Sequence, residues 1–250
     1  MKSAILITAR LKSTRLPRKA LRPIGGRAMI RHMIDRLKCA RLPEKIVLIT
    51  SPLPQDDPLV DLAREEGIEA YRGDPDDVLQ RIHDAAWHFD ADTIISCTGD
   101  NPFTDAEAID ALLDFHCRQD NDFTRIDGLP WGTFSYALAR KAVGRALEIT
   151  GTRDTEVWGG YFTETGCFRC GVLEITDPAL RWPELRLTVD TPEDFTLAEK
   201  IFARLQRPGR VFPLAEIVAL CREHPELVAI NAAIPQKPGK AIELKQGTLR

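Results

Sequence analysis

A dense group of basic side chains follows the first apolar stretch of the chain. The segment MKSAILIT leads directly into ARLKSTRLPRK, and ten residues there contain five cations: Arg10, Lys12, Arg15, Arg18 and Lys19. Backbone N–H groups in the turn at Ser13 can bind phosphate oxygens, and the cations can neutralise phosphate charge. Folding does not require such a local field in a chain whose formal net charge is −3,. This basic loop is therefore interpreted as a triphosphate-binding site.

Two aspartates are placed to hold a metal ion beside such a ligand. Asp100 in TGDNPF and Asp190 in TVDTPED each follow an apolar stretch predicted to be a buried strand. Ligands of open α/β sheets bind at the carboxyl ends of the strands, where the basic loop also lies. Mg²⁺ is usually held by one or two carboxylates. Either aspartate alone would be an ordinary cap or turn residue, but the pair favours metal ligands, with Glu193 and Asp194 as supporting acids.

Other classes of protein are disfavoured by what the chain lacks. The patterns GxxxxGK[ST] and GxGxxG do not occur, which argues against a P-loop kinase and a dinucleotide dehydrogenase. The negative net charge argues against a nucleic-acid partner. No apolar run approaches the ~20 residues that span a bilayer, and the first residues turn charged too early for a signal peptide. A cytoplasmic protein without a membrane partner is expected.

The six cysteines of the chain do not indicate a metal or redox centre. Only Cys167 and Cys170 form a CxxC pair. One such pair is half of a zinc site, and no second pair completes it.

Strand and helix signals alternate along the first half of the chain, as in a doubly wound sheet. We predict a Rossmann-like α/β fold with a mostly parallel central sheet flanked by helices and a small mixed insertion. Residues 1–234 are expected to form one domain, in which about 122–187 bind the acceptor and contribute to dimerisation. Residues 235–250 are expected to be a polar, frayed tail. Predicted strands cover 45–50, 93–100 and 185–189, and predicted helices cover 59–67, 76–89 and 106–119, with Asp76 as the cap of the second. A further helix is predicted to start at Thr191-Pro192-Glu193 and run to Leu205, and a last one covers 212–228,.

Four segments in order resemble a known family. The basic loop, RGDPDDVLQR at 72–81, TGDNPF and RLTVDTPEDF together resemble the cytidylyltransferases of the acylneuraminate and deoxy-octulosonate type, most closely the branch of spore-coat polysaccharide protein F. The resemblance covers residues 4–231. It implies a nucleotidyltransferase fold, CTP and Mg²⁺.

The resemblance also implies roles for individual residues. Arg15, Lys19, Asp100 and Asp190 would be catalytic, and the two aspartates would bind the metal. The nucleotide would be bound by a set from several segments: Ala9, Arg10, Ser13, Arg15, Lys19, Ser51, Gly73, Asp76 and Arg81. For two of these the residues alone allow other roles, since Gly73 could serve a turn and Arg81 could lie on a solvated helix face.

The chain departs from the family pattern at three positions. Arg18 stands where the family usually has glycine. In GLPWGTFS at 128–135, Pro130 and Gly132 replace two acids, so the acceptor is not fixed by the resemblance. Four arginines are available to bind an anionic head group, although each could equally lie on the surface: Arg125, Arg153, Arg169 and Arg186.

The sequence favours a Mg²⁺-dependent transfer of CMP from CTP to an acidic acceptor with release of pyrophosphate. The acceptor could be a sugar acid, an amino sugar acid, or a phosphorylated or phosphonate compound. Three other functions stay open: a hexose-1-phosphate nucleotidyltransferase, a non-catalytic nucleotide sensor, and a glycosyltransferase that uses Asp120-Asn121-Asp122 as a DxD-like motif. A homodimer is expected by analogy, with aromatic residues between Trp131 and Phe168 either in its interface or in a small core of their own.

Overall fold

A mixed sheet forms the centre of the molecule. The structure, a computed structural model, describes residues 2–13, 15–235 and 241–245. Its strands are β1 (Ser3–Thr8), β2 (Pro23–Ile24), β3 (Arg27–Ala28), β4 (Lys45–Thr50), β5 (Glu69–Arg72), β6 (Thr93–Thr98), β7 (Phe123–Asp127), β8 (Tyr136–Ala139) and β9 (Cys170–Glu174). Seven of them form one sheet in the order β5-β4-β1-β6-β8-β7-β9, and β2 pairs with β3. Only β8 runs against its neighbours in the large sheet.

Helices connect the strands and cover both faces of the sheet. They are α1 (Met29–Leu37), α2 (Asp57–Glu65), α3 (Val78–His88), α4 (Ala106–Arg118), α5 (Arg140–Ile149), α6 (Gly159–Thr163), α7 (Pro192–Leu205), α8 (Leu214–Glu223) and α9 (Pro225–Val228). Alternate residues of β1 divide between two apolar cores, with Ile5 and Ile7 in one and Ala4 and Leu6 in the other. A strand buried on both faces reads as the continuous apolar run seen in the sequence.

The predicted fold class is confirmed, with several corrections to its elements. The N-cap of α3 is Asp77, whose Oδ1 accepts from Gln80 N at 3.0 Å, so the prediction of Asp76 was wrong. Residues 185–189 are extended but form only an isolated bridge between Arg186 and Trp131. Their N–H groups bond to loop carbonyls: Leu187 and Thr188 donate to Trp131 O, and Val189 donates to Asp100 O.

The region at 122–187 is part of the central sheet. It contributes β7, β8 and β9 at one end of the strand order, and its helix α5 packs against α3. The aromatic residues Trp158, Tyr161 and Phe162 are buried within this chain, where Phe123 and Phe162 stack at 5.4 Å. They pack in the same apolar core as Ala4 and Leu6 of β1, so their burial does not require a second copy.

Five residues of the segment after Pro235 are described by the structure. Residues 236–240 and 246–250 lie outside the described residues. Residues 241–245 pack on the body of the protein, where Leu244 pairs with Thr150 in an antiparallel bridge and Ile242 contacts the core beside α5. The prediction of a frayed tail is wrong for these five residues, because their apolar side chains at alternate positions find a place to pack.

Gly132 holds the loop at 128–135 against the segment that leads to Asp190. Its φ is +91°, and a Cβ there would lie 2.4 Å from the backbone N of Thr188. Backbone atoms cannot move aside as a flexible side chain can. The departure from the family pattern at this position therefore has a steric cause, since only glycine fits it.

We expect Gly132→Ala to lower the free energy of unfolding by about 3 kcal/mol, from the strain of a positive φ and from overpacking. Gly166→Ala is the matched control, because Gly166 has φ +69° with no atom within 4 Å of its Cβ position, and should cost about 1 kcal/mol. Urea unfolding measures both. Equal losses in the two variants would contradict the steric explanation.

Candidate active site

The basic loop and the two predicted metal ligands meet at the carboxyl edge of the sheet. β1 and β6 are adjacent and parallel, with Thr8 opposite Thr98, so the segments that follow them leave the sheet side by side. Gly99 N donates to Thr8 O at 2.9 Å, and a Cβ on Gly99 would lie 2.9 Å from that of Ala9. Val189 N donates to Asp100 O at 2.9 Å. These bonds bring Asp100 and Asp190 together.

Lys19 lies between the two aspartates. Its Nζ donates to Asp100 Oδ2 and to Asp190 Oδ1, each at 2.8 Å, and its side chain is 16% exposed. Burial disfavours the charged ammonium, yet the pKa of Lys19 lies above its ordinary value because both carboxylates stabilise the charge. The ammonium occupies the position that a cation shared by the two aspartates would take.

Two arginines complete the charge around Asp190. Arg15 Nη2 lies 3.2 Å from Asp190 Oδ1, and Arg186 Nη2 lies 3.2 Å from Oδ2. Burial by itself would raise the pKa of Asp190, but Lys19, Arg15 and Arg186 hold it below its ordinary value. Asp190 is therefore a carboxylate at neutral pH, as a metal ligand or a partner for cations must be.

Asp194 positions this group from beneath. Its carboxylate is fully buried and accepts from Nε and Nη2 of Arg186, both at 2.9 Å. It also accepts from the backbone N of Asp190 and from Asn231 Nδ2, and it closes a capping box with Thr191 at the start of α7. Burial opposes its charge, but Arg186 and the hydrogen bonds lower its pKa. The sequence indicated Asp194 as a supporting acid but gave no sign of Asn231.

A second buried aspartate fixes the beginning of the basic loop. Asp56 is fully buried and accepts from Leu11 N at 2.7 Å and from Ser51 Oγ. Ser51 was predicted to border the nucleotide; its hydroxyl is engaged with Asp56 and with Leu53 N. Asp56 was missed because it lies in the turn-rich SPLPQDDP, where an acid is ordinary. Its contact with Leu11 is 45 residues distant in sequence.

A pair of guanidinium groups lies beside the loop. Arg81 is fully buried on α3, which excludes the solvated helix face. Its Nη1 donates to Asp74 O, whereas Nε and Nη2 have no hydrogen-bond partner among the described residues. Burial and the neighbouring charge of Arg10 lower the pKa of Arg81 to about 10. Buried N–H donors without acceptors beside a like charge favour an anionic ligand.

The other residues predicted around this pair lie nearby with different roles. Arg10 donates to Pro75 O and lies 3.5 Å from the exposed carboxylate of Asp76. Gly73 has an ordinary φ, and a Cβ there would lie 2.9 Å from Arg81 Cγ. Glycine is therefore required at position 73 by the close approach of the Arg81 side chain. This requirement does not depend on a turn at that position.

Within the basic loop, Ser13 Oγ accepts from Leu16 N at 3.4 Å. Arg18 adopts the left-handed conformation with φ +53°. This accounts for the glycine of the family pattern at this position, because a residue with a Cβ is destabilised there by roughly 1–2 kcal/mol. Arg18 begins the 3₁₀ turn Lys19–Leu21, so its backbone geometry aims Lys19 at the aspartates.

Other candidates from the sequence lie elsewhere. Asp120 and Asp122 stand at the amino end of β7, which is the opposite edge of the sheet from Asp100, and they pair with Arg169 and Arg145. Arg125 pairs with Asp127. Within the described ranges there is no group of three or more His, Cys, Asp or Glu side chains able to hold a metal ion.

The predicted metal site is thus of the open kind. The donor set is two carboxylates whose oxygens already share one cation, which suits Mg²⁺ because that ion keeps several waters and takes its remaining ligands from phosphates. The residues present fit the metal that the resemblance implies.

Residues 4–157 match the family model described as "Cytidylyltransferase". The chain belongs to the cytidylyltransferase family. It is accordingly a nucleotidyltransferase enzyme, and the resemblance read from the four segments is confirmed.

Relatives of the family extend over most of the chain. The spore coat polysaccharide biosynthesis protein SpsF of Bacillus subtilis (strain 168) is 28% identical over 229 residues, which are 88% of this chain and 94% of that protein. A cytidylyltransferase from Leptospira borgpetersenii has a similar fold, with a TM-score of 0.84, 24% identity and coverage of 95% of this chain and 100% of that one. CMP:2-keto-3-deoxy-manno-octonic acid synthetase, solved with CTP, gives a TM-score of 0.65, 17% identity, and coverage of 82% and 100%. In the described part of this chain, no helix is long and apolar enough to cross a membrane.

The position of Lys19 predicts competition between its ammonium and a free metal ion. We expect Lys19→Met to bind Mn²⁺ at least about tenfold more tightly than the wild type when no nucleotide is present, because like charges about 4 Å apart near a protein surface repel by ~4 kcal/mol. Electron paramagnetic resonance titration of Mn²⁺ measures this. Lys12→Met, which removes an exposed cation of the same loop, is the control. Unchanged or weaker Mn²⁺ binding in Lys19→Met would contradict the competition.

Asp194 should matter for stability as much as for the site. We expect Asp194→Asn to lower the free energy of unfolding by about 3 kcal/mol at pH 7, because it leaves a buried guanidinium short of a counter-charge. The neighbouring exposed acid provides the control, and Glu193→Gln should change stability by less than about 0.5 kcal/mol.

The same comparison has a defined pH dependence. Because the folded-state pKa of Asp194 is lowered, its contribution is present above the unfolded pKa of about 3.9 and is lost as the pH falls through the folded value. The difference in stability between the wild type and Asp194→Asn should therefore narrow below about pH 4. A constant difference from pH 7 to pH 3 would exclude this role.

Proposed function

We propose that this protein transfers a cytidylyl group from CTP to a small acidic acceptor, with Mg²⁺ as cofactor, and releases pyrophosphate. The observation that carries the proposal is the convergence of Lys19, Asp100 and Asp190 at the carboxyl edge of the sheet in a chain of the cytidylyltransferase family. Arg15 and the unpartnered donors of Arg81 add binding capacity for a triphosphate beside that point.

The protein contributes positioning and charge stabilisation to the reaction, and no protein nucleophile is needed. The acceptor oxygen attacks the α-phosphorus, a new O–P bond forms, and the bond to the pyrophosphate oxygen breaks. Lys19 leaves the aspartates to contact the phosphates, and Arg15 stabilises the departing charge. Asp100 and Asp190 would hold Mg²⁺, which would supply charge stabilisation for the pyrophosphate leaving group.

The pair Arg10 and Arg81 is assigned to the nucleotide. Arg81 offers two unbonded nitrogens, Nε and Nη2, from a buried position, and a phosphate or a base carbonyl would satisfy their N–H groups. Ala9, Ser51 and Gly73 lie at the ends of β1, β4 and β5, where backbone groups can line the cytosine. The role of Ser51 would be indirect, through the hydrogen bond that it donates to Asp56.

The acceptor is assigned to the side of β7 and β8. Its chemical class is a sugar acid, because the solved relative is a CMP:2-keto-3-deoxy-manno-octonic acid synthetase and SpsF takes its name from spore coat polysaccharide biosynthesis. The product would then serve the synthesis of a surface polysaccharide or glycoconjugate in the cytoplasm. A homodimer remains our expectation for the assembly.

Two measurements test the proposal. Calorimetry with Mg²⁺ and CTP, UTP, GTP or ATP should show preferential binding of CTP, and binding should be lost in Lys19→Ala. Pyrophosphate release with CTP and a panel of sugar acids should then identify a substrate, and turnover should fall by about 10²–10³-fold in Asp190→Asn, the range seen when one transition-state charge contact is removed. Asp120→Asn at the opposite edge should keep full turnover. Preference for another nucleotide, or normal turnover of Asp190→Asn with Mg²⁺, would overturn the assignment.

A further inference from the structure

The connection between α5 and α6 has no regular structure, although it lies beside the nucleotide side of the sheet. Residues 150–158 contain bends and isolated bonds but no helix or strand. A segment of this kind holds its position only through contacts with the rest of the protein. Two sets of hydrogen bonds hold the connection: one to the C-terminal segment and one to the start of α3.

The C-terminal strap, defined as residues 241–245, supplies the first set. Lys245 N donates to Ile149 O at 2.9 Å, and Gly151 N donates to Glu243 O at 2.7 Å. Glu243 N in turn donates to Tyr161 Oη at 3.3 Å. These bonds clamp both ends of the connection, near α5 and in α6.

The body of the protein is shaped for this strap. A Cβ on Gly160 would lie 2.7 Å from Ile242 Cγ2, and a Cβ on Gly151 would lie 2.9 Å from the carbonyl carbon of Leu244. Ile242 and Leu244 pack against the core between the sheet and α5. The two glycines leave the space that the strap occupies, and the half-buried side chains of Ile242 and Leu244 pack on the body of the protein. The strap and the body are therefore complementary in shape.

Thr155 links the connection to the start of α3, the helix that carries Arg81. It is fully buried; its Oγ1 donates to Asp77 Oδ1 at 2.7 Å and accepts from Leu79 N at 2.9 Å. Asp77 caps α3, and α3 carries Arg81 one turn further on. Arg153 lies on the same connection, close enough to Asp74 to contribute to the lowering of its pKa, which is set mainly by backbone hydrogen bonds.

We infer that the C-terminal strap is a positioning element of the nucleotide site. It holds the connection 150–158, which through Thr155 fixes the start of α3 and the buried guanidinium of Arg81. The strap lies outside residues 4–157 that match the family model. The functional half of the inference rests on the proposed binding of CTP, whereas its structural half does not.

Two truncations that differ only in the strap test the inference. A chain ending at Lys245 keeps the strap, and a chain ending at Lys240 lacks it. We expect the shorter chain to bind CTP with Mg²⁺ about tenfold more weakly by calorimetry and to exchange amide hydrogens faster at 150–158 and at the first turn of α3, without nucleotide present. The chain ending at Lys245 should match the full chain in both measurements.

Gly160→Val in the full chain is the second variant, because it displaces Ile242 without removing any residue. It should reproduce the faster exchange and the weaker CTP binding. Equal exchange in both truncations would overturn the structural half, and faster exchange with unchanged CTP affinity would overturn the positioning role. A full chain that fails to bind CTP would refute the proposed function itself, and the exchange data would still decide whether the strap holds the connection.

Discussion

Three cations from two parts of the chain converge on one carboxylate, and the surrounding fold serves that convergence. Asp190 contacts Arg15, Lys19 and Arg186. Such a group is stable only while positive and negative charges balance at short range, because each charge has left bulk water. Asp100 and Asp194 supply the remaining negative charge. The parallel pair β1 and β6, the extended segment 185–189 and the cap of α7 all act to place each of these cations within 3.2 Å of a carboxylate.

The same balance explains which parts of the site could be read from the sequence. Lys19, Asp100 and Asp190 each lie next to a strong local signal, an apolar stretch that ends in a charged or turn residue. Parallel strands bring their carboxyl ends to one edge, so local signals were enough to place Lys19 beside Asp100. Asp190 reaches the same point through the loop bonds of residues 187–189, because the segment before it is not a strand of the sheet. Asp56 and Asn231 have no such signal, because their partners are 45 and 37 residues away and their own surroundings are ordinary. Contacts of that range depend on the assembled fold.

The elements show the same division. Helices with a clear apolar face and a cap, such as α4 and α7, were predicted to within two residues. The extended segment before Asp190 has the composition of a strand but bonds to loop carbonyls, and composition cannot distinguish those two partners. The helix predicted across 212–228 is interrupted at His224, since Pro225 cannot continue the hydrogen-bond ladder. Residues 241–245 appeared polar because Ile242 and Leu244 alternate with the charged residues Glu243 and Lys245.

Arg81 is the feature that stability alone does not explain. A buried guanidinium with two unbonded nitrogens beside another guanidinium lowers the free energy of unfolding. The same side chain also restricts position 73 to glycine, because a Cβ there would lie 2.9 Å from Arg81 Cγ. Replacing it by a hydrophobic residue of similar volume would be expected to stabilise a protein that used this position for packing alone. The cost is reasonable if an anion completes the hydrogen bonds and separates the like charges. In that case the nucleotide completes a network of charges around Arg81 whose other members, Arg10, Asp56 and Asp74, are already held in place by the fold.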